Sequence, residues 1–359
     1  MISKTIFVPL LFVFCAACST TRPFKISDGK KIPNSIAEIR RLNINGSKQF
    51  LTIRGVDLAK PSLLWLHGGP GGVAMPLYMH HSAALEEQFV VVYWDQRGSG
   101  KSYSSRIPPA SMTLDQFISD THELTSWLRK HLHQDRVFLV GHSWGGFLGL
   151  HVISRYPTDY AALVAVSPIT DGPRSEQVSY DFALHQAQQR QDTAGLATLT
   201  RIRPPVKGLY QGGFDATLQE RNLVQKYGGS YHQDLGGTIY RILWRSKEYN
   251  LFDYLKNKKI YRLNWPMNHA IWPTIDLKRQ IPAVNVPVYF CLGRYDNHVP
   301  ATVVADYCAF LQAPIKEVIW FEGSAHHLCF EEPQKFHALV MEKLLGVKPP
   351  DTVQASGKK

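Results

Sequence analysis

The feature that most constrains the fold is a serine between glycines, where an apolar run meets a helical pattern. In DRVFLVGHSWGGFLGLHVISRYP, residues 135–157, Ser143 follows the run VFLV and precedes apolar residues at helical spacing that stop at Pro157. Gly141 and Gly145 leave room for a sharp strand–turn–helix connection. Such a turn lifts the hydroxyl to a helix N-terminus, where developing negative charge is favoured. The pattern predicts an α/β fold with Ser143 as nucleophile; a serine in an ordinary turn is the weaker interpretation.

Further apolar runs predict the rest of the fold. QFLTIRGVD, residues 49–57, alternates as an antiparallel strand does, and residues 113–132 have helical spacing. The runs SLLWL, RVFLV, AALVAVS, VPVYFCL and KEVIWFE do not alternate, which is typical of parallel strands covered by helices on both faces. The residues between Ser167 and Ile281 lack this strand–glycine rhythm and indicate an inserted helical module. The predicted units are a polar tether at 18–35, a core at 36–168 and 281–346, a helical lid at 169–280, and a polar tail at 347–359.

The N-terminal residues predict export. Residues 5–17, TIFVPLLFVFCAA, are apolar and uncharged, too short to span a bilayer as a stable helix but suited to a signal peptide. The CAAC sequence at residues 15–18 resembles the box of bacterial lipoproteins in which Cys18 is acylated. We therefore predict a lipoprotein-type signal peptide at 1–17 and a lipid anchor on Cys18. The expected location is the bacterial cell envelope, at the outer membrane or the periplasmic face, with secretion as the alternative.

The charge of the chain bears on its partners. The formal net charge is +11, and the basic residues are scattered, with the densest cluster, KNKK, at residues 256–259. A charge of this sign suits a tethered protein beside anionic lipid headgroups. No nucleic-acid-binding module is recognisable, so we expect no nucleic-acid partner. The sequence predicts neither a metal nor a cofactor.

A serine nucleophile needs a base and an acid that orients the base. In CLGRYDNHVP, Asp296 follows a buried strand, and in VIWFEGSAHHLCFEEP, His326 lies in the loop after the next strand. The chain order Ser143, Asp296, His326 is the order expected for a nucleophile elbow on such a sheet. His327 is the alternative base, and His298 is interpreted as a loop residue.

The oxyanion of an acyl-transfer intermediate needs N–H donors. HGGPGG, residues 67–72, follows a strand, and its glycines let the backbone approach a substrate closely. We expect the N–H groups of Gly69 and Trp144 to form the oxyanion hole.

Three cysteines lie beyond the leader. Cys291 sits in an apolar strand and is expected to be buried. A disulfide between Cys308 and Cys329 is possible in an oxidising compartment, and the sequence alone does not decide whether it forms.

The motifs HGGPGG, DQRGSGKS, GHSWGG, GRYD and GSAHH…EEP, in this order, resemble those of the α/β-hydrolase superfamily. More narrowly, they are similar to those of the proline iminopeptidase-like serine peptidases of the S33 type. The resemblance covers the core, and it implies an α/β-hydrolase fold with a mostly parallel central sheet flanked by helices and a helical lid after the sixth strand. It also implies lid glutamates that bind the free amine of a substrate. Glu248 is the candidate here, with a solvated helix residue as the alternative, and His142 stands where many members have a second glycine.

The function expected from these residues is that of a serine hydrolase acting through an acyl-enzyme. With the resemblance, the favoured activity is an aminopeptidase releasing N-terminal residues from small peptides. A carboxylesterase, lactonase or C–C bond hydrolase would use the same residues under a different lid. A lipid-anchored binding protein without chemistry is the non-enzyme alternative. Ser143 excludes haloalkane dehalogenases and epoxide hydrolases, which need an aspartate at that position.

Overall fold

The computed structural model describes residues 19–346. The predicted signal peptide at 1–17, the lipidation site Cys18 and the tail at 347–359 lie outside the described residues. The strands are β1 Ile36–Ile44, β2 Ser47–Gly55, β3 Ser62–Leu66, β4 Val90–Asp95, β5 Val137–His142, β6 Tyr160–Val166, β7 Val288–Gly293 and β8 Lys316–Phe321. The helices are α1 Met75–His81, α2 Leu114–His131, α3 Trp144–Arg155, α4 Gly172–Gln189, α5 Thr193–Ile202, α6 Gly213–Lys226, α7 Gly236–Arg245, α8 Leu251–Leu255, α9 Asn257–Ile271, α10 Leu277–Gln280, α11 Ala301–Phe310, α12 Leu328–Glu331 and α13 Pro333–Leu345.

The eight strands form one sheet in the order β1-β2-β4-β3-β5-β6-β7-β8. The strand β2 runs antiparallel to both β1 and β4, and the remaining neighbours pair in parallel. Parallel strands place their carboxyl ends at one edge of the sheet, so the loops after β3, β5, β7 and β8 converge there. The predicted mostly parallel sheet flanked by helices is confirmed.

Side chains alternate between two apolar cores, one on each face of the sheet. Leu64 and Leu66 of β3 face the core built with α2, α3 and α11, whereas Leu63 and Trp65 face the core built with α1, α12 and α13. Because both faces are buried, the central strands read as unbroken apolar runs in the sequence. Two helical layers therefore cover the sheet.

The edge strand β1 was not predicted from the sequence. Its residues, IAEIRRLNI, are largely half-exposed or exposed, because β1 has a single neighbour in the sheet. The antiparallel strand expected at residues 49–57 is confirmed over residues 49–55, since β2 pairs antiparallel on both sides.

Helices α4 to α10 occupy the chain between β6 and β7, where the helical lid was predicted. Their own small core includes Tyr180, Leu199 and Val224. The two ends of this insertion meet, since Asp171 and Asp276 form an isolated antiparallel bridge, with Gly172 N–H donating to Ile275 O at 3.0 Å. In the described part of the chain no helix has the length and apolarity needed to cross a bilayer.

Residues 19–35 differ from the free tether that their polar composition suggested. Arg54 of β2 donates to Thr21 Oγ1 at 2.5 Å and to Arg22 O at 2.8 Å, and its guanidinium lies 4.7 Å from the centre of the Phe24 ring. Lys25 and Lys31 form a bridge of their own. The polar composition of the segment gave no sign of these contacts, because they depend on Arg54 of β2. The described part of the segment packs against that strand.

The three cysteines within residues 19–346 form no disulfide. Cys291, Cys308 and Cys329 are free and buried, as expected for Cys291. The bridge left open between Cys308 and Cys329 does not form, because Cys308 packs in the core on the α11 side and Cys329 in the core on the opposite face of the sheet.

Candidate active site

Ser143 occupies the turn between β5 and α3. Its backbone has φ +55° and ψ −117°, outside the regions that a serine normally adopts. Its N–H donates to Val166 O at 2.8 Å, and Phe147 N–H donates to Ser143 O at 3.0 Å as α3 begins. The side chain lines a cavity of about 150 Å³ between the sheet and the insertion. The hydroxyl is therefore presented at a sharp bend beside a pocket.

The glycines that flank the serine are required by close packing. A Cβ atom on Gly141 would lie 2.4 Å from Gly145 O, and a Cβ on Gly145 would lie 2.0 Å from Leu66 O at the end of β3. Both distances are far below van der Waals contact, and both obstacles are backbone atoms. The tight turn around Ser143 is thus possible only with glycine at these two positions.

Asp296 and His326 form a buried pair. The carboxylate follows β7, the imidazole follows β8, and His326 Nδ1 lies 2.9 Å from Asp296 Oδ2. The other oxygen, Asp296 Oδ1, accepts the N–H groups of His298 and Val299 at 3.0 and 2.9 Å. These contacts hold the carboxylate in one orientation and leave Nε2 of His326 free of the pair.

The neighbouring imidazoles have other surroundings. The His327 ring stacks on Tyr231 at 4.1 Å and on Phe330 at 5.6 Å, and burial holds its pKa well below the usual range. The His298 ring stacks on His326 at 4.5 Å and lines the cavity of Ser143. The structure therefore joins Asp296 to His326 rather than to His327. It places His298 in the loop after β7, as expected, where the residue also lines the cavity of Ser143.

His142, the chain neighbour of Ser143, contacts His326. Among the described contacts no hydrogen bond joins Ser143 to His326 directly. The rings of His142 and His326 lie 4.8 Å apart, and His142 precedes Ser143 in the chain. Catalytic hydrogen bonds are often long in ligand-free enzymes and shorten when substrate binds.

His142 anchors a chain of hydrogen bonds whose direction can be assigned. Its Nε2 lies 2.9 Å from the His326 carbonyl oxygen, which can only accept, so Nε2 carries the proton. Nδ1 then accepts from the Tyr78 hydroxyl at 2.8 Å, and that hydroxyl accepts from Gly68 N–H at 3.1 Å. Burial, the main cause, and the neighbouring His326 lower the pKa of His142 to about 3. A neutral imidazole thus ties the glycine loop, the serine turn and the His326 loop together.

The two N–H groups predicted for an oxyanion hole lie close to Ser143. Trp144 is the first residue of α3, where helix geometry leaves an N–H without an intrahelical acceptor. Gly69 lines the same cavity as Ser143, and within residues 19–346 its N–H has no hydrogen-bond acceptor. The preceding Gly68 N–H is already used by Tyr78. Among the described hydrogen bonds, neither the Gly69 N–H nor the Trp144 N–H has an acceptor.

Gln96 holds the glycine loop in place. Its backbone N–H donates to His67 Nε2 at 3.2 Å and its side-chain amide donates to His67 O at 3.0 Å. Its side-chain oxygen accepts from the Trp144 indole at 3.0 Å. Next to it, Arg97 forms a fully buried ion pair with Asp120 at 2.7 Å. Gln96 and Arg97 of the DQRG sequence therefore stabilise the structure next to Ser143 through buried contacts.

An acidic cluster in the insertion faces the cavity of Ser143. Glu176 of α4 and Arg221 of α6 both line the cavity, and Arg221 pairs with Glu176 and, at 2.5 Å, with Glu220. Burial raises the pKa of both carboxyl groups, and the nearby Arg221 opposes that shift. Glu176 Oε2 and the nearby Tyr210 hydroxyl are both buried, and the interaction with Tyr210 lowers the pKa of Glu176 against the effect of burial. With both carboxylates ionised, this cluster carries one uncompensated negative charge.

Glu248, the predicted amine ligand, is not brought together with Ser143. It accepts from Ser246 Oγ and Lys247 N–H, both at 3.1 Å, and lines a separate cavity with Arg54 and Arg245. The lid helices turn this residue toward β2 and the N-terminal segment. The lid glutamate that lines the cavity of Ser143 is Glu176, which no sequence motif distinguished.

Three further residues at the site were missed or underestimated from the sequence. Tyr78 and Arg221 carry no local signature, and their roles depend on partners far away in the chain. His142 had a signal, since it departs from the glycine common in the resembling family. Among residues 19–346, no group of His, Cys, Asp and Glu is arranged to hold a metal ion.

Several known proteins are similar to this chain over most of its length. A family model described as alpha/beta hydrolase fold matches residues 61–333. The chain is 35% identical over 315 residues to a Bacillus subtilis (strain 168) protein named "Probable aminopeptidase YbaC", covering 84% of this chain and 94% of that protein. It is 25% identical over 283 residues to a proline iminopeptidase of Heyndrickxia coagulans, covering 77% of this chain and 87% of that protein.

A solved structure has the same fold. The crystal structure of a proline iminopeptidase from Mycobacterium smegmatis superimposes with a TM-score of 0.62 at 19% identity, covering 86% of this chain and 98% of that one.

Proposed function

The chain belongs to the α/β-hydrolase family, and from this premise we propose that it is a serine aminopeptidase releasing N-terminal residues from small peptides through an acyl-enzyme. The observation that carries the proposal is a cavity lined by both Ser143 and the buried carboxylate of Glu176. A nucleophile and an anionic group in one small pocket suit a substrate with a free amine beside its scissile carbonyl.

The proposed chemistry assigns one role to each group. Ser143 Oγ attacks the carbonyl carbon while His326 Nε2 takes its proton, since Nδ1 is engaged with Asp296. The N–H groups of Gly69 and Trp144 stabilise the oxyanion. His326 then donates the proton to the leaving amine, and water attacks the acyl-enzyme with His326 again as base, which releases the N-terminal residue and restores Ser143.

Amine recognition follows from the charge of the cluster. A substrate ammonium beside Glu176 would supply the positive charge that Arg221 alone does not provide for two carboxylates. A buried charge is stabilised by such pairing and is costly without it. The acetylated amine of a blocked peptide carries no charge. Its binding would therefore leave the buried charge of Glu176 uncompensated. The site thus favours free N-termini.

The size and walls of the cavity limit the residue that is released. At about 150 Å³ it accommodates one residue rather than a length of chain, which suits removal of a single N-terminal residue. Its apolar walls include Ile169, Trp265, Trp272 and Val299. We expect small apolar residues or proline to be preferred at the N-terminus of the substrate.

The test compares p-nitroanilides of alanine and proline with a free amine against the same amides after acetylation. We expect hydrolysis of the free forms only. Glu176→Gln should raise KM for the free amides by about 10- to 100-fold, because it removes a charge-assisted contact. Glu248→Gln, the matched change in a lid glutamate outside the cavity, should leave KM unchanged. Thermal unfolding of both variants reports whether the fold survives.

The same apolar walls favour a second activity, hydrolysis of esters. Equal rates on free and acetylated amides, or faster hydrolysis of p-nitrophenyl esters, would replace the aminopeptidase with a carboxylesterase, lactonase or C–C bond hydrolase. A fluorophosphonate probe tests the nucleophile itself. A folded protein that the probe does not label would favour the binding-protein alternative.

The cellular location is a separate part of the proposal. We propose a lipid anchor on Cys18 in the cell envelope, supported by the CAAC sequence that ends at this residue. Growth with radiolabelled palmitate should label the wild-type protein and not Cys18→Ala. Equal labelling of both, or of neither, would argue against the anchor.

A further inference from the structure

Five large apolar side chains on two lid helices are exposed to solvent. Trp244 and Tyr240 of α7 are 83% and 77% exposed. Leu255, Leu251 and Phe252 of α8 are 67%, 57% and 50% exposed. We call these five residues the α7–α8 face. Exposed aromatic and aliphatic side chains gathered in one place typically mark an interaction surface.

The two helices are connected by a short link and by one side-chain hydrogen bond. Tyr240 and Trp244 are one turn apart on α7, so they share a side of that helix. The opposite side of α7 packs into the protein through Ile242 and the partly buried Leu243. The Tyr254 hydroxyl of α8 donates to Leu243 O at 2.9 Å, which fixes α8 against α7.

The surroundings of the α7–α8 face are strongly basic. Residues 236–262 contain seven lysines and arginines and two acidic residues. One of these acids, Asp253, is buried and paired with Lys101 at 2.7 Å and Lys256 at 3.2 Å. Arg245, on the other hand, has no ion-pair partner in the described chain. Residues 236–262 therefore carry a net charge of +5, so the α7–α8 face belongs to a basic segment of the chain.

The first described residues, Ser19 and Thr20, make hydrogen bonds near α7 and α8. Lys101 Nζ, which pairs with Asp253 of α8, also donates to Ser19 Oγ at 2.6 Å. Thr20 N–H donates to the carbonyl oxygen of Lys247, which lies in the short link between α7 and α8. The residue that follows Cys18 is thus held within contact of the elements that carry the face.

We propose that the α7–α8 face docks on the surface of an anionic phospholipid bilayer. Tryptophan and tyrosine favour the headgroup region, leucine and phenylalanine enter the acyl boundary, and lysine and arginine are attracted to anionic lipid. A symmetric dimer through this face would bring two cationic surfaces together, which disfavours a second copy as the occupant. The proposal does not depend on the aminopeptidase activity.

The experiment measures sedimentation of the full chain with vesicles in a Cys18→Ala background, so that no acyl chain contributes and residues 1–17 are identical throughout. The vesicles contain phosphatidylethanolamine with phosphatidylglycerol, or phosphatidylcholine alone. We expect binding to the anionic vesicles to be stronger and to weaken with salt.

Two substitution sets, each with a matched control, localise the contact. Each set should weaken binding to anionic vesicles by about tenfold or more, and neither control should weaken it. The apolar set is Trp244→Ser, Phe252→Ser and Leu255→Ser, with Val206→Ser, Leu218→Ser and Phe310→Ser as the control at exposed sites elsewhere. The basic set is Arg245→Gln, Lys258→Gln and Lys259→Gln, with Lys48→Gln, Arg106→Gln and Lys130→Gln as the exposed control.

Trp244 supplies a spectroscopic readout. Brominated lipids should quench part of the tryptophan fluorescence of the bound protein, and Trp244→Phe should abolish that quenched part. Vesicle binding that is equal in the face and control variants, or quenching that persists in Trp244→Phe, would overturn the proposal. Face substitutions that change the sedimentation mass of the free protein but not its vesicle binding would also overturn it, and would assign the face to self-association.

Discussion

The His142 ring donates a hydrogen bond of 2.9 Å from Nε2 to the backbone carbonyl oxygen of His326. His142 ends β5 and precedes Ser143, whereas His326 lies in the loop after β8. These segments are far apart in the chain and not adjacent in the sheet. A single neutral imidazole therefore sets the spacing between the turn of the proposed nucleophile and the loop of the proposed base.

Removing this imidazole should misplace the base. We expect His142→Leu to lower kcat/KM by about 10- to 100-fold, because small displacements of catalytic groups cost rates of this order. His142→Gln keeps an N–H donor and should recover much of the loss. The measurement is steady-state kinetics together with the rate of fluorophosphonate labelling. Equal activity in both variants and the wild type would mean that the hydrogen bond does not position His326.

The pairing of Asp296 with His326 yields a second prediction. Asp296→Asn should lower kcat by about 10³- to 10⁴-fold, because the carboxylate no longer holds the imidazole tautomer. His326→Gln should be at least as damaging. His327→Gln, the matched change in the adjacent stacked imidazole, should keep most activity. A result in which His327→Gln inactivates and His326→Gln does not would transfer the base to His327.

The glycine at 145 allows a prediction on stability. Gly145→Ala puts a Cβ atom 2.0 Å from the Leu66 carbonyl oxygen and should lower the free energy of unfolding by at least about 3 kcal/mol. In the same helix, Gly149→Ala meets the flexible Leu163 side chain at 2.9 Å and should cost less than about 1 kcal/mol. Urea denaturation of the two variants compares them, and similar losses would contradict the packing argument.

His151 makes stability depend on pH in a defined direction. Burial, the main cause, and the nearby Arg155 lower the pKa of His151 to about 4, below its value in the unfolded chain. Below about pH 6.5 the unfolded state binds the extra proton, so the stability contributed by neutral His151 is lost as pH falls toward 4. From about pH 7.5 to about pH 5, the wild type should lose about 1–2 kcal/mol relative to His151→Gln. A pH-independent difference between the two unfolding curves would disprove the assignment.

The fold was largely predictable because its signals are local. Each central strand is an apolar run that ends in a glycine or polar turn, and the turn at Ser143 needs glycines within two residues of it. The resemblance to the α/β-hydrolase superfamily, and to its proline iminopeptidase-like members, is confirmed by the family match and the named relatives. Chain order alone led to Asp296 and His326, which the structure joins.

Contacts between distant segments could not be derived in the same way. Glu176 and Glu248 are both lid glutamates in the sequence, and only the path of the helices decides which of them reaches Ser143. The half-exposed strand β1 and the packing of residues 19–35 against Arg54 likewise depend on partners far away in the chain. Local composition carries no information on such pairings.

The Asp171–Asp276 bridge closes the insertion at its base, so that α4 to α9 leave and rejoin the sheet at a single point. Ser143, Asp296 and His326 lie on one side of this closure, and Glu176 and Arg221 lie on the other. The residues proposed for bond cleavage therefore lie in the core, and those proposed for amine selection lie in the insertion. Replacing residues 172–275 with the equivalent segment of a related protein should give the chimera the substrate preference of that protein. Ser143, Asp296 and His326 would stay unchanged in the core.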